Sequence, residues 1–198
     1  MINHIWFATG NDHKFSEARD FLVQALPGLQ LEQCKGDFPE IQASSLEEVA
    51  RYKIQAAMDA CPGNLFIEDA GLFISCLHGF PGVYSSYVKK TLDCDGILKL
   101  LGDKQEKIQR VAYFETCTCV FLEEMQEIHI FKGRIDGHIG FKERGARGFG
   151  FDPIFIPDEP AGNELTFAEM TPVQKNAVSH RTRALNHFKQ WLLQSHSP

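Results

Sequence analysis

A segment from about residue 171 to residue 193 has the periodicity of an amphipathic helix, and it carries a cation on its apolar face. Its apolar positions recur at helical spacing and are Val173, Ala177, Ala184, Leu185, Phe188 and Leu192. Arg181 falls in the middle of this stripe, and His180 lies at its edge. A guanidinium keeps its charge in a protein, and an unpaired buried charge is very costly. Arg181 therefore requires an internal carboxylate, an opening to water or a bound ligand as its partner.

The same segment predicts a break in the helix. Thr171-Pro172 is a helix start, because proline is favoured in the first turn, and Ser179 is a second candidate N-cap. On one straight helix, Lys175 would point almost opposite Arg181. We therefore expect the long helix proper to begin near Ser179, which lets both cations reach one ligand.

The length and composition indicate a soluble globular protein. The chain has 198 residues, of which 43% are hydrophobic and 23% charged, which is enough for a sizeable core. We expect a single domain over residues 1–198 with two lobes. The net charge of −6 and the lack of a long basic run argue against a nucleic-acid partner. Neither a signal peptide nor an apolar run of membrane-spanning length is present, so we expect a cytoplasmic protein without a membrane partner.

The cysteines show no recognisable pattern. They are Cys34, Cys61, Cys76, Cys94, Cys117 and Cys119. None forms a C-x-x-C pair, and their spacing suggests neither a zinc site nor a small disulfide scaffold. We interpret them as small reduced hydrophobes in a core, which suits a reducing cytoplasm.

Runs typical of β-strands alternate with amphipathic helical patterns, which predicts an α/β fold. The predicted strands cover about residues 4–9, 29–34, 65–67, 72–77, 110–122 and 127–135, the last two as a hairpin. The predicted helices cover about residues 12–26, 45–61 and 93–101, besides the C-terminal segment. Asn11 is a candidate N-cap, and Ser45 opens a capping box with Glu48.

The first strand is followed by Thr9-Gly10-Asn11, with Lys14 in the first turn of the next helix. Free backbone N–H groups at a helix start, together with the helix dipole, favour a phosphate there. The G-x-x-x-x-G-K-[ST] pattern of a phosphate-binding loop is absent. An ordinary capped turn between a strand and a helix is the alternative.

Two further positions place charge next to buried structure. Glu68 and Asp69 follow a buried strand, where ligands gather in open α/β sheets, and adjacent carboxylates suit Mg²⁺. Solvated acids at a turn are the alternative. Lys53 lies within an apolar helical stripe, either as an anion ligand or as a lysine that extends its ammonium group into water.

The fourth feature is a glycine-rich loop, Gly148-Phe149-Gly150-Phe151-Asp152-Pro153. Flanking glycines let the backbone approach a ligand and present Phe149 as a flat stacking surface. Core and turn roles for Phe151 and Asp152 are the alternative. Together with the cations and acids, this loop indicates a site for a metal-bound polyphosphate that carries a flat base.

These motifs resemble those of a known family, the inosine triphosphate pyrophosphatases, which hydrolyse dITP, ITP and XTP to the monophosphate and pyrophosphate. The resemblance covers nearly the whole chain, in the family's order. Its motifs are Thr9-Gly10-Asn11 with Lys14, Phe38-Pro39-Glu40, Lys53, Glu68-Asp69-Ala70-Gly71-Leu72, and residues 79–85, 148–153, 166–170 and 175–181. No single motif is decisive, but the joint match is highly specific.

The resemblance implies an elongated α/β fold with a central mixed β-sheet flanked by helices and two lobes around a deep nucleotide cleft. It also implies a Mg²⁺ cofactor and a homodimer. By motif it assigns phosphate binding to Thr9, Gly10, Asn11, Lys14 and Lys53. It assigns the metal to Glu40 and Asp69 with Glu68 as a helper, and the general base to Asp69. It assigns nucleoside recognition to Phe149, Gly150, Phe151, Asp152, Lys175, His180 and Arg181.

One substrate-binding position departs from the family pattern. Many relatives have Ser or Thr after the Glu-Asp pair, where its hydroxyl meets the substrate, and this chain has Ala70. The missing hydrogen bond is worth about 0.5–1.5 kcal/mol net. We therefore expect weaker binding or positioning of the substrate, with activity retained.

The function predicted from these features is Mg-dependent hydrolysis of non-standard purine nucleoside triphosphates. Asp69 accepts the proton of the attacking water, while Lys14 and Lys53 stabilise charge on the phosphates. Arg181 offers only donors, which suit the C6 oxygen of hypoxanthine and xanthine but not the amino group of adenine. The substrate base thus becomes the expected partner of Arg181. The alternatives are a related pyrophosphatase for modified pyrimidine or methylated nucleotides, and a non-catalytic nucleotide sensor.

Overall fold

The computed structural model describes residues 2–195 and contains one six-stranded sheet in the order β2-β1-β3-β4-β5-β6. The strands are β1 His4–Ala8, β2 Gln30–Cys34, β3 Leu65–Ile74, β4 Val111–Leu122, β5 Glu127–Ile139 and β6 Phe155–Pro157. The helices are α1 Asp12–Ala25, α2 Leu46–Ala60, α3 Ser85–Thr91, α4 Asp93–Leu100, α5 Pro172–Val178 and α6 His180–Ser195. The strand β1 pairs in parallel with β2 and β3, whereas β5 and β6 are antiparallel. The sheet is therefore mixed, and the predicted α/β class is confirmed.

The chain divides into two compact units, each with its own apolar core. The first unit comprises the described residues up to Asp69, Thr116–Gly133 and the described residues from Arg181 onward. Its core includes Ile5, Phe7, Leu22, Phe66, Leu185 and Phe188. The second unit comprises Ala70–Glu115 and Arg134–His180, and its core includes Leu72, Ile97, Phe114, Ile139 and Phe155. The expectation of a single domain with two lobes stays a prediction.

The predicted boundary after Asp69 is wrong. Two strands were expected at about residues 65–67 and 72–77, but β3 runs without interruption from Leu65 to Ile74. Acidic residues are disfavoured in strands, and this preference suggested a turn. In the structure Glu68 and Asp69 are both buried and both paired with cations, so the strand continues through them. The short elements α3 and β6 were not predicted, and β5 extends to Ile139, beyond its predicted end.

The C-terminal segment breaks where the sequence predicts. The helix α5 begins after Thr171, which forms a capping box with Gln174, and it ends at Val178. Ser179 has extended backbone angles (φ −67°, ψ 151°), and α6 begins at the next residue. Val173 was expected on the buried stripe but is 79% exposed, because the break separates it from the apolar face of α6. Among residues 2–195, no helix is long and apolar enough to cross a membrane.

The interpretation of all six cysteines as reduced core residues is wrong for one pair. Cys34, at the end of β2, and Cys61, directly after α2, form a disulfide with a Cα–Cα distance of 6.1 Å. They lie 27 residues apart in sequence, a separation that carries no signal of contact. The prediction is confirmed for Cys94, Cys117 and Cys119, which are free and fully buried.

Candidate functional site

The turn between β1 and α1 has the rigid, capped geometry that the sequence predicts. The side chain of Asn11 accepts hydrogen bonds from the backbone N–H groups of His13 and Lys14 at 3.0 and 3.1 Å. The Thr9 hydroxyl accepts one from the Asn11 N–H at 3.1 Å. A Cβ on Gly10 would lie 3.4 Å from a backbone carbonyl oxygen, so the chain passes close by at this point. The turn therefore holds the positive end of the α1 dipole in a fixed place.

Lys14 connects this turn to β3. Its Nζ donates to the backbone carbonyl of Glu68 at 3.3 Å and lies 3.5 Å from the Glu68 carboxylate. The contact exists because β1 and β3 are parallel neighbours, which brings the end of β1 next to the middle of β3. The structure thus brings together two of the predicted features, the turn with its lysine and the acidic pair.

Arg181 is paired with two internal carboxylates. Its Nε and Nη2 donate to the two oxygens of Glu68, each at 2.7 Å, and its Nη1 donates to Glu17. The Arg181 side chain is 2% exposed and that of Glu68 is 1% exposed. Burial disfavours the charged guanidinium, but Glu68 and Glu17 outweigh burial and raise the pKa of Arg181 above its ordinary value.

This pairing gives Arg181 internal partners. The sequence left three partners open and favoured a substrate base, whereas the partners in the structure are Glu68 and Glu17. Glu17 is not among the predicted site residues, although it lies one helical turn after Lys14 on α1. Since both Glu68 oxygens accept from Arg181, the geometry gives no support to Glu68 as a metal ligand. That assignment and base recognition by Arg181 stay predictions.

Lys53 contacts two acidic residues, Glu40 and Asp69. Its Nζ donates to Glu40 at 2.6 Å and to Asp69 at 3.1 Å. The alternative of an ammonium group extended into water is wrong, because Lys53 is buried and paired. Burial raises the pKa of the Asp69 carboxyl, and the nearby cations of Lys53 and Lys14 offset that rise only in part. Burial lowers the pKa of Lys53, but Asp69 and Glu40 together raise it above its ordinary value.

The carboxylate oxygens of Glu40 and Asp69 suit a hard cation whose remaining ligands are substrate phosphates and water. Between residues 2 and 195, no group of three or more His, Cys, Asp or Glu side chains is placed to hold a metal ion. Mg²⁺ needs fewer protein ligands, since it is usually bound by one or two carboxylates together with substrate phosphates and water. Glu40 and Asp69 supply two carboxylates that already share one partner.

In the second unit, Asp152 organises the glycine-rich loop. One Asp152 oxygen accepts from the Phe149 N–H at 2.8 Å and from Lys175 Nζ at 2.7 Å. A Cβ on Gly148 (φ +74°) would lie 2.1 Å from that oxygen, so this position requires glycine. Lys175 Nζ also lies 5.0 Å from the centroid of the half-buried Phe149 ring, within cation–π range. Phe151 is buried in the core, as the alternative interpretation proposed.

Three more residues are predicted site residues or contact one. His180 is buried, and its ring stacks on Phe114 at 4.8 Å between centroids. Ala70 lies on β3 directly after Asp69. Thr116, on β4, donates its hydroxyl to the Asp69 carbonyl at 2.9 Å. Thr116 is not among the predicted site residues, because no sequence pattern around it on β4 indicates a functional role.

Comparison with known proteins gives consistent matches along nearly the whole chain. A sequence model of the Ham1 family matches residues 5–191. The dITP/XTP pyrophosphatase of Thermococcus kodakarensis is 48% identical over 187 residues, covering 94% of this chain and 95% of that protein. The dITP/XTP pyrophosphatase of Pyrococcus horikoshii is 44% identical over 188 residues, covering 95% and 96%. The solved structure of the Staphylococcus aureus Ham1 protein is 30% identical, with a TM-score of 0.77 and coverage of 97% and 99%.

Proposed function

Because the chain belongs to the Ham1 family, we propose that it hydrolyses non-standard purine nucleoside triphosphates to the monophosphate and pyrophosphate. The substrate class is that of its relatives, which are named dITP/XTP pyrophosphatases, and ITP belongs to the same class. The observation that carries the proposal is the Glu40–Lys53–Asp69 cluster, in which Lys53 and Asp69 are buried and Glu40 is exposed. Glu40 and Asp69 offer two carboxylates for a metal, and Lys53, which contacts both, offers a cation for the phosphates.

In the proposed reaction, Asp69 accepts the proton of the attacking water. Its raised pKa makes it a stronger base than an ordinary aspartate, and Lys53 holds the carboxylate in place. Glu40 and Asp69 would hold Mg²⁺, which supplies Lewis-acid polarisation of phosphate oxygens and a more acidic bound water. Lys14 and the positive end of the α1 dipole stabilise the charge on the phosphates and on the leaving pyrophosphate.

We assign recognition of the nucleoside to the glycine-rich loop, Lys175 and Arg181. Phe149 offers a face for stacking, and Lys175 carries only donors, as Arg181 does. Donors match the C6 oxygen of hypoxanthine and xanthine and leave the adenine amino group unpaired. His180 and Asp152 belong to the same assignment, with Asp152 fixing Lys175 at 2.7 Å.

The remaining parts of the proposal are a homodimer and a cytoplasmic location, where nucleotide pools require cleansing. Light scattering of the purified protein tests the dimer.

The cytoplasmic location requires that the Cys34–Cys61 bond withstand the cellular thiol pool. Titration of the bond against a dithiol measures that resistance directly.

A pyrophosphate-release assay on ITP, XTP, dITP and the standard nucleotides, with and without Mg²⁺, tests the proposal. Asp69→Asn should abolish release while nucleotide binding is largely preserved. Asp59→Asn is the matched control, since Asp59 lies exposed on α2. Near-normal turnover in Asp69→Asn rules out the assigned base. Binding of ITP without release would indicate a nucleotide sensor, and preference for a modified pyrimidine would indicate the other house-cleaning class.

A further inference from the structure

Side chains hold the backbone of β3 at its two acidic residues. The register of β1 with β3 runs as far as Phe66, and the strand then continues past the end of β1. At that point the Glu68 carbonyl accepts a hydrogen bond from Lys14 Nζ at 3.3 Å. The next carbonyl, that of Asp69, accepts one from the Thr116 hydroxyl at 2.9 Å. Successive carbonyls of a strand point to opposite edges, so these two bonds fix β3 from both sides.

The Thr116 bond is fully protected from water. Thr116 and Asp69 are 0% and 6% exposed, and a hydrogen bond in such surroundings is stronger than one that competes with solvent. Thr118 lies two residues along β4, on the same face of the strand, and is also 0% exposed. Its hydroxyl has no hydrogen-bond partner within the described part of the chain. Burial of a hydroxyl on this face of β4 therefore does not by itself require a hydrogen-bond partner. The Thr116 hydroxyl differs from that of Thr118 in its bond to the Asp69 carbonyl.

We propose that Thr116 is a positioning residue that sets the orientation of the Asp69 carboxylate. This inference rests on the proposed role of Asp69 as general base. The Thr116 hydroxyl fixes the peptide plane after Asp69, and this plane sets the direction of the Asp69 side chain. Only two torsions separate that backbone from the carboxylate, which meets Lys53 Nζ at 3.1 Å. A displacement of the base by about 1 Å is enough to lower turnover by up to about a hundredfold.

The test compares Thr116→Val with Thr118→Val in the pyrophosphate-release assay on ITP. Both variants replace a fully buried hydroxyl on one face of β4 with a methyl group of similar size, but only the first removes a bond to Asp69. We expect Thr116→Val to lower kcat about tenfold, which corresponds to about 1.4 kcal/mol, with KM changed less than about twofold. Thr118→Val should keep the kcat of the wild type. Thr116→Ser retains the hydroxyl and should restore kcat to within about threefold of the wild type.

The outcomes separate this inference from the proposed function. An active wild type with equal kcat in Thr116→Val and Thr118→Val overturns the inference and leaves the proposed function intact. Failure of Thr116→Ser to recover kcat also overturns it, since the hydroxyl would then not be the active feature. A loss confined to KM contradicts a role in placing the base. A wild type that releases no pyrophosphate overturns the proposed function, and the positioning role in that reaction with it.

Discussion

Replacing Glu68 with Gln tests whether the buried guanidinium of Arg181 depends on this carboxylate. Glutamine keeps the size of the side chain but turns one acceptor into a donor that faces the Arg181 N–H groups. Both Glu68 oxygens accept from Arg181 at 2.7 Å, and both side chains are almost fully buried. The substitution therefore removes one of the two carboxylates, Glu68 and Glu17, that pair with this buried cation.

The expected loss is large for a single substitution. Removing one partner from a buried ion pair lowers the free energy of unfolding by about 3–5 kcal/mol. Because the Glu17 contact remains, we expect Glu68→Gln to lower it by about 3 kcal/mol, the low end of this range. For a chain of this size, that loss corresponds to a fall in Tm of about 6–12 °C. Glu17→Gln should cost about half as much, because the Glu17 side chain is 19% exposed and water can replace part of its bond. Urea unfolding without nucleotide measures both, since urea adds no screening salt.

A double-mutant cycle tests whether the buried charge of Arg181 causes the loss of stability in Glu68→Gln. Arg181→Met removes the guanidinium and keeps apolar volume, so Glu68→Gln should cost much less in the Arg181→Met background than in the wild type. We expect a coupling energy of about 1–3 kcal/mol. If the two losses add without coupling, the pair does not stabilise the fold as argued, and the stability of Glu68→Gln reflects packing instead.

Two further predictions concern stability. Reduction of the Cys34–Cys61 bond, or its removal in a Cys34→Ser/Cys61→Ser variant, should lower the free energy of unfolding by about 3.5 kcal/mol. This is the loss of chain entropy expected for a separation of 27 residues. If dithiothreitol leaves the urea midpoint of the wild type unchanged, this prediction is wrong. Burial, reinforced by Lys107 and only partly offset by Asp158, lowers the pKa of His138 in the folded state. A depressed histidine contributes stability that is present above its unfolded pKa of about 6.5 and is lost as pH falls through its folded pKa. Wild type should therefore lose more stability than His138→Phe on acidification below about pH 6.5, and parallel pH profiles would refute this.

The features that the sequence predicted correctly are local ones. The N-caps at Asn11 and Ser45 and the break near Ser179 depend on residues within one helical turn, and all three are confirmed. The uninterrupted strand β3 depends on cations from elsewhere in the chain, since Lys14 lies 54 and Arg181 lies 113 residues from Glu68. No local pattern contains such pairings. The disulfide escaped prediction for the same reason.

Strand geometry explains why the adjacent acids Glu68 and Asp69 contact different cations. Successive side chains of a β-strand point to opposite faces, and their contacts follow that rule. Glu68 meets Arg181 of α6, whereas Asp69 meets Lys53 of α2. The second carboxylate that a metal at Asp69 can share is therefore Glu40, which already binds the same lysine. We therefore expect removal of the charge of Glu68 to act mainly on the stability of the fold, and removal of the charge of Asp69 to act on turnover.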